Sequence, residues 1–176
     1  MSKLLILDAN VIIEAHRHGY WRALTARYQL HIPKTIVYES RYFTDSYNQK
    51  ISIDLSAELA NGKIVEIEAT PNEMAKLSQN FKPTFVESID DGEREALAIL
   101  YSRADAQLLF CTGDMRAIIS LAVMELSHCG ISLEQVLKQA SLKSVTIPAH
   151  FSEKTFQRHL GQGVLERSMH LRSGAK

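Results

Sequence analysis

Leu4-Leu5-Ile6-Leu7-Asp8-Ala9-Asn10-Val11-Ile12-Ile13 decides the fold. Four consecutive apolar residues read as a short strand buried on both faces, the kind found inside a parallel sheet. Asp8 ends that strand, and a helix-compatible stretch follows from Val11. The same alternation continues along the chain. Tyr28 to Ile32 predicts a second strand stopped by Pro33, then a helix from about Thr35 to about Asn48 and another in Asp54 to Ala60. Asn61-Gly62 closes that helix, and Lys63 to Glu68 alternates as a third strand. Thr70-Pro71-Asn72-Glu73 combines a cap, a proline at the first helical position and a glutamate three residues after the cap, so it predicts a helix start. A further helix opens at Asp90-Asp91 and runs to about Arg103. Leu108 to Cys111 reads as a fourth strand, Asp114 to Ser127 as a helix, Ser132 with Gln135 as another helix start, and Ser144 to Ile147 as a fifth strand.

Strands separated by helices predict an α/β fold, a three-layer α/β/α sandwich around a central, mostly parallel five-stranded sheet. Residues 1–148 read as one domain. Residues 149–176 read as a C-terminal helical extension interrupted at Gly161 and Gly163, with a disordered end at Ser173-Gly174-Ala175-Lys176. Of the many tyrosines, Tyr38, Tyr42 and Phe43 fall at helical spacing, which predicts packing rather than base stacking.

Hydrophobic residues make up 45% and charged residues 23% of the 176, ordinary for a globular domain able to bury a core. Lys plus Arg equals Asp plus Glu at 20 each, so the whole-molecule field offers no attraction to phosphate. Any nucleic-acid contact needs a local basic patch, with Lys34, Arg41 and Arg116 as candidates. Cys111 and Cys129 lie in apolar segments and form neither a metal-ligand pair nor a disulfide framework, which suits a reducing, cytoplasmic setting. The apolar run Leu4 to Leu7 is too short for a signal peptide or membrane span.

In parallel sheets, ligands bind beyond the carboxyl ends of the strands, near the point where strand order reverses. Acids collect at those positions. Asp8 follows the first strand, Asp114 follows the fourth after Thr112-Gly113, Glu39 lies in the helix after the second, and Asp91, Glu93 and Glu95 crowd one helix start. Each has a bland reading as a helix cap or a solvated surface acid. Caps do not account for Glu39. Two carboxylates ~5 Å apart repel by roughly 3 kcal/mol at an effective dielectric near 20, so a cluster needs protons or a cation. A set without histidine or cysteine suits hard, oxygen-seeking Mg²⁺ or Mn²⁺.

Four segments also resemble the motifs of the PIN-domain family. They are the opening stretch through Asp8, Pro33-Lys34-Thr35-Ile36-Val37-Tyr38-Glu39, Asp91-Gly92-Glu93-Arg94-Glu95-Ala96, and Leu108-Leu109-Phe110-Cys111-Thr112-Gly113-Asp114. They occur in family order between residues 3 and about 147. The resemblance implies Mg²⁺- or Mn²⁺-dependent endonucleolytic cleavage of RNA, with Asp8, Glu39, Glu93 or Glu95, and Asp114 as the catalytic acids. Asp8, Glu39, Glu93 and Asp114 would hold the metal, and Asn10, Thr112 and Arg116 would contact substrate. It further implies a homodimer, and in the toxin–antitoxin branch of the family a protein inhibitor, the antitoxin.

The third acid stays open between two residues. On a helical wheel Glu93 falls inside the buried arc and Glu95 points away from it, whereas the family's spacing from acid-alanine to the fourth aspartate favours Glu95. Where many members carry a later acid, this chain has Met115-Arg116-Ala117. That departure keeps a second reading alive, a catalytically silent PIN-like binding or scaffold module. A phosphatase or receiver domain fits less well, because position 10 is Asn10 rather than a second aspartate.

Overall fold

A computed structural model describes residues 4–103, 107–142 and 146–172. In chain order the elements are β1 (Leu4–Leu7), α1 (Ala9–Arg17), α2 (Trp21–Arg27), β2 (Gln29–Pro33), α3 (Lys34–Glu39), β3 (Tyr42–Thr44), β4 (Lys50–Ser52), α4 (Ser56–Ala60) and β5 (Ile64–Ile67). There follow α5 (Pro71–Asn80), α6 (Pro83–Val86), α7 (Asp91–Ser102), β6 (Leu108–Cys111), α8 (Met115–Val123), β7 (Gly130–Ile131), α9 (Leu133–Gln139) and α10 (Glu153–His170).

Five strands form one parallel sheet in the order β5-β2-β1-β6-β7. The chain builds outward from β1 to β2 and β5, then crosses back to lay β6 and β7 on the other side. Strand order therefore reverses at β1, and the switch point lies between the ends of β1 and β6. Leu5, Ile6 and Leu7 are fully buried. Leu5 and Leu7 join Ile12, Leu24, Ile36 and Leu133 on one face, while Ile6 joins Leu97, Phe110, Ile118 and Phe156 on the other. Two cores flanking one sheet make the α/β/α sandwich, and each such side chain contributes roughly 1.5–3 kcal/mol by leaving water. Among the described residues, no helix is long and apolar enough to cross a membrane.

Three expectations are corrected. The helix predicted to about Asn48 ends at Glu39, where the Ser40 hydroxyl donates back to the Ile36 carbonyl at 2.8 Å. An antiparallel hairpin, β3–β4, follows, with Tyr42 opposite Ser52 and Thr44 opposite Lys50. Asp45 makes the turn by accepting from the amides of Tyr47 and Gln49, both at 2.9 Å, and Asn48 adopts φ 62°. A turn followed by a left-handed asparagine is a standard hairpin closure, and it overrides the helical spacing of the aromatics. Tyr38, Tyr42 and Tyr47 are exposed rather than packed.

The fifth strand is β7, paired Phe110–Gly130 and Cys111–Ile131, not Ser144 to Ile147. Of that segment, Thr146 and Ile147 lie in no strand, and Ser144 and Val145 fall outside the described residues.

The tail is one unbroken helix rather than an interrupted one. α10 packs against α8 through Gly163, where a Cβ would stand 2.4 Å from the Ile119 carbonyl oxygen and 2.8 Å from Ala122 Cβ. The glycine serves close approach, and Phe156 and Leu160 of the same helix enter the common core. The expected disordered end, Ser173 to Lys176, lies outside the described residues.

Candidate functional site

Asp8 sits where the switch point predicts a ligand site. Its backbone amide donates to the Cys111 carbonyl at 3.1 Å, which carries the β1–β6 ladder one residue further. The side chain, 1% exposed, accepts from the Asn10 amide at 3.4 Å and from the Thr112 hydroxyl at 3.0 Å. The bland reading holds in part, since Asp8 caps α1. A cap uses one oxygen. Asp8 also turns the other to the end of β6, and burial holds its carboxyl above the usual carboxylate range.

Glu93 reaches Asp8 from the first turn of α7. It is 5% exposed, and its Oε2 has no hydrogen-bond partner. Burial first, then the charge on Asp8, push its carboxyl up from 4.5 to about 8. The state of each carboxyl shifts the other's, so the two titrate as one pair. At neutral pH the pair retains a proton unless a cation takes its place. No side-chain hydrogen bond caps the start of α7 at Asp90.

Glu39 approaches from α3. Burial raises its carboxyl, as do the charges on Asp8, Asp91 and Asp90, and the Gly92 backbone partly offsets them. Gly92 is required here, because a Cβ would stand 2.6 Å from Glu39 Oε2 and 2.7 Å from Ile36 Cγ1. Together Asp8, Glu39 and Glu93 line an open cavity of about 530 Å³ with Asn10, Ile13, Glu87, Asp90, Asp91 and Arg94. Arg94 pairs with Asp91 at its rim. Sequence reasoning passed over Arg94, although its place inside the acidic motif was the available signal.

Asp114 is linked to this group at one remove. Its amide donates to Thr112 Oγ1 at 3.0 Å, and that hydroxyl donates in turn to Asp8. Its carboxylate caps α8 by accepting from the Ala117 amide at 2.8 Å, yet its charge is felt by both Asp8 and Glu93. Thr112 is thus a positioning residue between two acids.

Glu95 does not join them. Its two oxygens accept from the Thr35 amide at 3.1 Å and the Ala69 amide at 3.0 Å. They satisfy donors at the start of α3 and the end of the β5 segment. The side chain is buried like Glu93, against the helical-wheel expectation, but turned toward a different strand end. Arg116 is not part of the cavity lining either. Its charge is felt at Glu166 on α10. Lys34 pairs with Glu68 at 3.5 Å.

Among the described residues, no three His, Cys, Asp or Glu side chains form a ready-made metal-binding group. The donor chemistry nevertheless fits a hard divalent ion. Asp8 and Glu93 offer buried carboxylate oxygens, one of them unpartnered, with Glu39 across the same cavity. With both ionised, two such carboxylates repel by about 3 kcal/mol at ~5 Å, a cost that a cation between them would offset. Both cysteines are free and buried, outside this chemistry.

Compared with family models, with curated proteins and with solved structures, the chain matches none.

Proposed function

We propose that the chain is a PIN-like, Mg²⁺- or Mn²⁺-dependent endoribonuclease hydrolysing RNA phosphodiester bonds. The observation carrying this reading is the Asp8–Glu93 pair. Two buried carboxyls meet at the switch point of a parallel sheet, one oxygen unpartnered, in a cavity open to solvent. Such a pair is costly for stability and useful for catalysis. Asp8, Glu93 and Glu39 would hold the ion, with Asp114 adding negative charge through the Thr112 relay. A bound ion of this kind lowers the pKa of water, binds a phosphate oxygen and offsets charge on the leaving group.

The chain's own residues do the rest. Thr112 fixes the Asp8 carboxylate in one orientation. Asn10, at the cavity wall, is positioned to meet a phosphate or ribose oxygen. Glu93, as a ligand, would release its proton to solvent when the ion binds. Water would attack phosphorus in line and release a proton as the bond to the 3′ oxygen breaks, and that oxygen would take up a proton in its place. The products are a 3′-hydroxyl and a 5′-phosphate. The resemblance extends the proposal to a cytoplasmic toxin of a toxin–antitoxin pair, homodimeric and restrained by a protein inhibitor.

A catalytically silent binding module is the second reading, favoured by the neutral net charge and by the absence of a ready-made metal group among the described residues. Incubation of labelled RNA with Mn²⁺ separates them. The nuclease reading expects 5′-phosphate products that EDTA abolishes, and intact RNA under all conditions supports the silent module.

A further inference from the structure

The β3–β4 hairpin stands apart from the main sheet and buries little of its own aromatic surface. Tyr47 at its tip is 83% exposed and Tyr42 on its first strand 48%, with Tyr38, just before it, at 55%. Rings that bury so little contribute little to the fold. Each of two carries a cation: Lys50 Nζ lies 4.5 Å from the Tyr42 ring centre and Arg41 Cζ 4.6 Å from that of Tyr38. Asp45, the acid of the turn, is engaged by the amides of Tyr47 and Gln49. Glu14, the acid beneath the hairpin, is buried against Arg17 at 3.3 Å and His18 at 3.2 Å.

The hairpin also forms one wall of a groove. Tyr42, Phe43 and Thr44 face Pro148, His150 and Phe151 across a cleft of about 380 Å³ floored by α1. Asn10 and Ile13 line both this cleft and the acidic cavity, so the two are adjoining parts of one trough. Acids line the cavity, and Tyr42, paired with Lys50, lines the cleft.

We propose that this hairpin is a stacking arm for single-stranded RNA, holding nucleotides next to the cleavage site with Tyr42 and Tyr47 against bases and Lys50 and Arg41 against phosphates. It rests on the nuclease reading for the identity of the polymer. Exposed rings accept any unpaired base face, and neighbouring cations follow the backbone. A duplex keeps its bases stacked internally and offers these rings nothing. The arm also supplies local positive charge on a chain whose net charge is zero.

The test is fluorescence anisotropy in EDTA, using a labelled RNA single strand of about 12 nucleotides and the same sequence as a duplex. The full chain is expected to prefer the single strand. Tyr42→Ala and Tyr47→Ala should each weaken binding about tenfold, and Tyr42→Phe should retain it. Lys50→Ala should reduce the salt slope by about one. Melting curves matching the wild type would show that these exposed sites leave the fold intact. Wild-type affinity in both alanine variants, equal binding of duplex, or no RNA binding at all would overturn the arm. Binding that follows the expected pattern, without cleavage in Mn²⁺, would remove the nuclease reading and leave the arm. Cleavage with alanine variants that bind normally would do the reverse.

Discussion

Thr112 donates its hydroxyl to Asp8 Oδ2 at 3.0 Å, tying the end of β6 to the end of β1 across the switch point. Thr112 Oγ1 also accepts the Asp114 amide at 3.0 Å, so one hydroxyl sets the relation between two acids. Thr112→Val keeps shape and removes both bonds. Cleavage should fall about 10- to 100-fold, the usual cost of losing a group that orients a metal ligand, and Thr112→Ser should recover most of it. Single-turnover rates check this.

Glu93 and Glu95 are two residues apart, both buried, and do different work. Glu93→Gln removes a group held against its charged form, so the ion-free variant should melt a few degrees higher at pH 8. It should also lose Mn²⁺-induced stabilisation. Glu95→Ala strands two amides and should cost about 1–3 kcal/mol while keeping its response to Mn²⁺. Thermal melts with and without Mn²⁺ distinguish them. The reverse pattern would make Glu95 the third acid.

The raised carboxyl of Glu93 also fixes a pH dependence. Folded, it titrates at about 8 against an ordinary 4.5, so the native chain keeps a proton that the unfolded chain has lost. Its contribution to stability is complete below 4.5, declines as pH rises and is lost above about 8. Burial gives Asp8 the same sign. In EDTA the melting temperature should therefore fall from pH 5 to pH 8, less steeply in Glu93→Gln. Because Mn²⁺ displaces the proton, its affinity should rise over the same range, by up to about tenfold per unit for one proton released. Titration calorimetry in buffers of different ionisation heat counts that proton.

Gly92 is the residue that lets α3 and α7 approach. A methyl group there would stand within 2.7 Å of Glu39 Oε2 and Ile36 Cγ1. Gly92→Ala should destabilise by about 1–3 kcal/mol through overpacking and displace Glu39 from the cavity. Denaturant melts read the first effect, and reduced Mn²⁺ affinity the second.

Four strands and the Thr70–Glu73 capping box were legible, because apolar runs, alternation and cap chemistry leave local marks. The box closes as the residues imply, with the Glu73 amide donating to Thr70 Oγ1 at 3.2 Å. β7 left no such mark, since two residues are too few for any period. The hairpin was masked because Tyr38, Tyr42 and Phe43 satisfy helical spacing while Asp45 and Asn48 dictate a turn. In the site, Asp8, Glu39 and Glu93 line one cavity. Separating Glu93 from Glu95 required knowing which strand end each side of α7 meets, and a wheel for one isolated helix does not contain that.

The central claim is that Asp8 and Glu93 share one divalent ion, and anomalous diffraction from crystals soaked in Mn²⁺ tests it most directly. The account predicts a single strong peak within coordination distance of both carboxylates, lost in Asp8→Asn. Clear density for both side chains with no peak between them, in crystals where Mn²⁺ binds elsewhere or not at all, would contradict it.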